Sequence, residues 1–531
     1  MKHLSISLLV LIALCQSLYA QDDDNPRPWR SPESCTSIMV GRNATVDGSV
    51  ITSHTCDAWY RTWVSMRPAQ KFDRDTTEII YSGRMHTEYP NDQTGLKVKG
   101  TIPQAKVTYK FLDTAYPSIN EKQLAMGETT ISGRKELVNS NGMFYIEELQ
   151  RVALERCSTA REAIKLIASL IEKYGYADWG ECLTIADPQE VWQMEIFGEG
   201  KKKIGGVWAA QRIPDDHVGV SANISRIGKL LDDPNYFMCS KNVKSVAKSL
   251  GLWNGKEPFV FWKAYGDVKK AYMAREFFVL NHFAPSLGLK FDDRDEMPFS
   301  VKAEKKVSVQ DVMAMFRETY AGTDLDMTKD LKVAVKDKKT GKIDTIISPA
   351  ASPWMSRDEQ NMINAVKKDA VVFNRPIAVA FCAYSSIIQL RSWLPDEIGG
   401  VVWFGFDNPA ESPRIPIFLG CTDLPDSFKI CGQHYFREDA AVWPFRRANK
   451  LATVRWGRNK DMIQHSVLRF EEKGMRELPW VEAQYKRIAS EKGKEAATEF
   501  LNNYTADFAG AAMLRWKEMG NKLWSRYQMG F

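Results

Sequence analysis

The chain has 531 residues, 44% of them hydrophobic, with 16 tryptophans and a formal net charge of +6 left over from 72 basic and 66 acidic residues. That composition belongs to a packed globular protein large enough for two or three structural units, and it excludes a disordered chain. The one basic run, Lys201 to Lys203, falls in a predicted hairpin turn, so a solvated turn is expected there and no nucleic-acid surface.

In chain order, residues 1–20 come first: Lys2, an apolar core from Leu4 to Leu14, and Ala20 at a cleavage position. They read as a signal peptide, too short to cross a bilayer comfortably, and Leu14 ahead of Cys15 argues against lipidation. No later segment carries 18 consecutive apolar residues, so no membrane span is expected. The expected address is periplasmic or secreted. Residues 21–34, "QDDDNPRPWRSPES", are polar and proline-rich and are expected to be extended. Of nine cysteines, Cys15 leaves with the leader; among the remaining eight in an oxidising compartment, one or two disulfides are expected.

"CTSIMVG" and "GSVITSHT", separated by "RNATVD", predict strand, turn, strand. Strands are also predicted in "KVTYKFLDT" from Lys106, in "QLAMGETTI" from Gln123, and as a meander through residues 180–214 with turns at Asp187-Pro188 and Gly198–Gly206. Residues 144–175 predict two consecutive helices joined at a Ser158-Thr159 cap and ended by Gly175. "GVSANI" predicts a strand, Lys263 to Leu287 a helix containing Arg275, and "SVQDVMAMFRETY" a helix capped by Ser308. A hairpin about Thr340-Gly341, strands in "PIAVAFCAYSSIIQL" and "GGVVWFGF", and helices beyond about Asn459 complete an α+β pattern of stacked layers.

Familiar chemical signatures are absent: no H-E-x-x-H, paired C-x-x-C, P-loop, G-x-S-x-G or G-x-G-x-x-G occurs, and the seven histidines are scattered without metal-ligand spacing. No metal and no cofactor is therefore expected. Cys35 follows the disposable segment. If Ser34–Cys35 is cut, Cys35 gains a free α-amine beside its thiol, and an amine of pKa near 8 serves as a general base at neutral pH. The alternative is a buried strand cysteine with no chemistry.

"CTSIMVGRNATVDGSVITSHTCDAW" closely resembles the start of the cysteine-nucleophile dipeptidases of the N-terminal-nucleophile hydrolase superfamily, relatives of penicillin V acylase and bile salt hydrolase. The resemblance continues through "PSINEKQLAMGETTI", "RIPDDHVGVSANISRIG", "FAPS" and "LPDEIGGVVWFG". It implies a four-layer αββα core of two stacked antiparallel sheets over residues 35–458, a helical extension over 459–531, and autocatalytic removal of residues 21–34. It also implies hydrolysis of short peptides through a thioester on Cys35. Carried over by position, Asp57 would orient the α-amine, Asn223 would assist the oxyanion and Arg275 would lie near the nucleophile. His54 stands where the amidases have an arginine and, with Glu128 and Thr129, is expected to line the substrate site. Thr129 and Thr130 stand where those enzymes have an oxyanion-side asparagine, and Glu128 would bind a peptide's amino end. An acyl amidase of the same fold and a secreted binding protein remain as alternatives, and self-association is left open.

Overall fold

The structure is a computed structural model that describes residues 34–267, 273–291 and 294–530. The expected leader and residues 21–33 lie outside the described residues. Strand β1 (Ser37–Val40) and strand β2 (Val50–Cys56) form the first predicted hairpin, in antiparallel register with Val40 opposite Ile51. The turn between them is made by chemistry: Asp47 accepts from the backbone N–H and the hydroxyl of Ser49, and Gly48 takes the positive φ of 85° that other residues disfavour.

Around this hairpin grows a seven-stranded sheet whose spatial order is Ser300–Lys302, His217–Ser221, β1, β2, Tyr384–Leu390, Gly400–Phe406 and Ile415–Phe418. A second sheet of eight strands runs Phe237–Cys239, Gly206–Ile213, Val191–Gly198, Glu181–Ala186, Ala125–Thr130, Ile119–Asn120, Phe111–Asp113 and Ser65–Arg67. Every ladder in both is antiparallel. The sheets stack face to face, and hydroxyls bridge them. Thr52 Oγ1 meets Thr184 Oγ1 at 2.6 Å, and Ser37 Oγ donates to the Glu128 carbonyl at 3.3 Å. Gly127 sits at the closest approach: a Cβ there would lie 2.5 Å from the Ser53 carbonyl oxygen and 2.7 Å from Thr184 Oγ1.

Helices cover the outer faces. Ile146–Arg156 and Ala160–Tyr174 pack on the second sheet, the latter opened by a Thr159 capping box as the sequence predicts. Met273–Phe283 and Val309–Phe316 pack on the first, joined by the C-terminal helices Val442–Thr453, Trp456–Lys492 and Lys494–Arg526. None of the described helices is long and apolar enough to cross a membrane.

Four expectations need correction. The helix expected over Lys263–Leu287 is interrupted: Phe261–Tyr265 ends at the extended Gly266, Met273–Phe283 is a separate helix, and Pro285–Leu287 is a 3-10 turn. In "PIAVAFCAYSSIIQL" only Tyr384–Leu390 is strand; residues 376–379 are buried in irregular backbone and Phe381 is exposed. The C-terminal helices start at Val442, earlier than Asn459. All eight described cysteines are free, so none of the expected disulfides forms among them; seven are buried and serve as small apolar side chains.

Candidate active site

Cys35 stands two residues ahead of the first residue of β1, where the first sheet delivers it beside the end of β2. Thr36 N–H donates to Thr55 Oγ1 at 2.9 Å, and Thr55 N–H returns a bond to the Thr36 carbonyl at 2.9 Å. That pairing brings Asp57, 22 residues later in sequence, next to Cys35. Ser34 N–H is held by the Asp57 carbonyl at 3.2 Å, so the peptide ahead of Cys35 is fixed on both sides.

Two arginines converge on the same short stretch. Arg275, fully buried on the helix Met273–Phe283, donates to the Cys35 carbonyl at 2.6 Å, Thr36 Oγ1 at 2.8 Å, the Ala222 carbonyl at 2.9 Å and Asn223 Oδ1 at 2.7 Å. Asn223 holds this place through an unusual backbone, a φ of +64° that asparagine tolerates better than most residues, and its Nδ2 reaches the Thr130 carbonyl at 2.6 Å. Arg375 comes from the irregular segment ahead of Tyr384–Leu390. Its Nη2 donates to Asp57 Oδ2 at 2.8 Å, the Ser34 carbonyl at 2.9 Å and Ser34 Oγ at 2.9 Å. Sequence reasoning missed Arg375; the only signal was a cation inside the apolar run "VVFNRPIAVAF".

Asp57 Oδ2 accepts from Thr55 Oγ1 at 2.7 Å as well as from Arg375; its Oδ1 is buried without a nitrogen or oxygen donor, and the Cys382 thiol lies against the same carboxylate. A buried carboxylate oxygen left open to a nitrogen donor beside Cys35 is where a newly freed ammonium would gain a charge-assisted bond. Burial, then the carboxylates of Glu128 and Asp57 with the Cys56 thiol between them in weight, pushes the Cys35 thiol well above its ordinary pKa. A thiol so raised is a poor nucleophile until a base is created next to it.

His54, on β2, puts Nδ1 2.8 Å from the Glu128 carbonyl, with its ring edge-on to Tyr116. Burial lowers its pKa to about 4, so the imidazole is neutral at physiological pH. Unfolding therefore takes up a proton between about pH 6.5 and pH 4, and stability contributed by the neutral ring is lost as the pH falls through that window. A shift of that size corresponds to about 3 kcal/mol. Denaturant titrations across the window should show it, and His54→Gln should flatten the slope; an unchanged slope would mean the ring is not buried neutral.

Glu128 is buried, and its carboxylate, the Cys35 thiol and a ring nitrogen of His54 each offer an atom within 4.8 Å of the others. Thr129 commits its hydroxyl to Ser221 across the sheets, a contact that serves the sandwich. Thus Cys35, His54, Asp57, Glu128, Asn223 and Arg275 gather at one place, while Thr129 lies at its edge. A second group able to hold an ion, Glu88, Cys431 and His434, uses a C-x-x-H spacing that sequence reasoning passed over.

A family model described as Peptidase family C69 matches residues 34–469. The chain belongs to peptidase family C69. The peptidase is 26% identical over 417 residues to a protein named probable dipeptidase in Latilactobacillus sakei, covering 75% of this chain and 76% of that one. It is 22% identical over 509 residues to dipeptidase A of Lactobacillus helveticus (90% and 95% covered), and 25% identical over 466 residues to a probable dipeptidase of Salmonella dublin (83% and 90%). The matched family region begins at Ser34, one residue ahead of the cysteine around which the site is built.

Proposed function

We propose that this peptidase is an exported dipeptidase whose nucleophile is Cys35, exposed as the first residue of the mature chain by cleavage of the Ser34–Cys35 bond. The observation that carries the reading is the open Asp57 Oδ1 beside a Cys35 thiol that burial holds protonated. The neutral His54 imidazole and the Glu128 carboxylate within 4.8 Å of the thiol are weak bases, and a free α-amine at Cys35 supplies a stronger one. In the mature enzyme the amine takes the thiol proton while Sγ adds to the substrate carbonyl, then returns a proton to the leaving amine. Water hydrolyses the resulting thioester. Arg275 and Asn223 fix the Cys35 backbone, and Asp57 orients the amine. The family and the dipeptidase names of its relatives support a short-peptide substrate, and the two stacked antiparallel sheets are what an N-terminal-nucleophile core would present.

Glu128 favours a dipeptide over an uncharged acyl amide, because a buried carboxylate next to the nucleophile recognises a free amino terminus. Glu128→Gln is expected to raise KM for free dipeptides about tenfold, the worth of one charge-assisted hydrogen bond, with a smaller effect on kcat. A panel of dipeptides beside their N-acetyl forms checks this. Faster turnover of the acetylated forms by the wild type would favour the amidase reading.

A further inference from the structure

In the precursor, a donor already in place must polarise the Ser34 carbonyl. Arg375 occupies the required place. It is buried, and its guanidinium touches both the Ser34 carbonyl oxygen, at 2.9 Å, and the Asp57 carboxylate, at 2.8 Å. Its Nη1 is committed to the carbonyls of Pro376 and Ile377, which lock the side chain against its own main chain. On the other side of the scissile bond, Arg275 holds the Cys35 carbonyl at 2.6 Å. Two consecutive carbonyls are thus each gripped by a separate buried guanidinium.

We infer that Arg375 is a catalytic residue of self-cleavage, serving as the oxyanion donor to the Ser34 carbonyl while Cys35 removes the segment ahead of it, the propeptide of residues 21–34. This inference rests on Cys35 being the nucleophile. Sγ of Cys35 adds to the Ser34 carbonyl carbon, forming the C–S bond and moving the carbonyl electron pair onto oxygen, where the Arg375 Nη2–H already points. The thiol proton passes to the Cys35 nitrogen, the C–N bond breaks, and Ser34 is left as a thioester on Sγ with a free α-amine on Cys35. Water then adds to the thioester, releasing the Ser34 carboxylate and restoring the thiol. A preorganised cationic donor at an incipient oxyanion contributes about 10²–10³ in rate. The second bond to Asp57 explains how a guanidinium can be stored in a dry site before the reaction. Propeptide removal does not undo that bond, so Asp57 keeps Oδ1 directed at the new amine.

The test follows propeptide removal by intact mass on the full chain. Arg375→Ala should purify largely as precursor and lose its propeptide at least about 100-fold more slowly than wild type. Arg375→Lys, which keeps the charge, should fall between the two. Guanidinium ion, added below denaturing concentration, should speed processing of the Arg375→Ala precursor but not of Cys35→Ala. Processing of Arg375→Ala within threefold of wild type overturns the inference. So does slow processing of folded Arg375→Ala that guanidinium leaves unchanged, since that is the signature of a purely structural side chain. Cleavage before position 35 in Cys35→Ala would instead sink the nucleophile reading itself.

Discussion

Cys35→Ala is expected to yield a folded chain that keeps every residue up to Ser34 left by leader-peptide removal, with dipeptide turnover lowered by about 10⁵–10⁶-fold. The fold should survive because the substitution removes one sulfur atom from a buried position, a loss of about 1 kcal/mol, and leaves the backbone bonds of Arg275 and Thr55 in place. Two independent readouts therefore change together: the mass of the chain and its turnover. Retained turnover in this variant would remove Cys35 from the mechanism. A wild-type chain that begins at Gln21 and hydrolyses nothing would leave a binding protein. Cys35→Ser should process slowly and hydrolyse poorly, because a hydroxyl is far harder to deprotonate than a thiol.

Asp57→Asn is expected to act on stability and chemistry at once. The Arg375–Asp57 pair is buried, with side-chain exposures of 4% and 0%. Removing the negative partner strands a guanidinium in the interior at a cost of about 3–5 kcal/mol, which a denaturation midpoint will register. The kinetic signature is separate. A carboxylate beside the α-ammonium of Cys35 favours its charged form and raises its pKa. Without that charge the amine loses its proton more easily, so the acid limb of the kcat/KM profile should move to lower pH while the maximum falls about 100-fold or more. An acid limb that stays where it is in the wild type would show that Asp57 does not touch the amine.

Local patterns carried much of this fold. The turn between β1 and β2, the caps at Thr159 and Ser308 and the alternating strands over 181–213 are short-range features, and each lies where the sequence places it. The failures are tertiary. Nothing local separates the apolar run at Pro376 from a strand, since burial in irregular backbone selects the same residues. The site divides in the same way. Cys35 and Asp57 lie on one hairpin and were readable from it together with the resemblance, and Asn223 and Arg275 came from the resemblance alone. Arg375, 318 residues from Asp57, meets it only because the first sheet carries both segments to one end.

Gly127 carries a further consequence. With a carbonyl oxygen 2.5 Å from where its Cβ would be, the two sheets cannot separate or slide at the nucleophile end without breaking the hydroxyl bridges that flank it. The floor that the two sheets form beneath Cys35 is thus of fixed depth, and repacking the sandwich is not expected to retune side-chain preference. Variation among proteins sharing this scaffold should concentrate in the loops above it, and engineering of a new dipeptide preference should begin there and leave the floor alone.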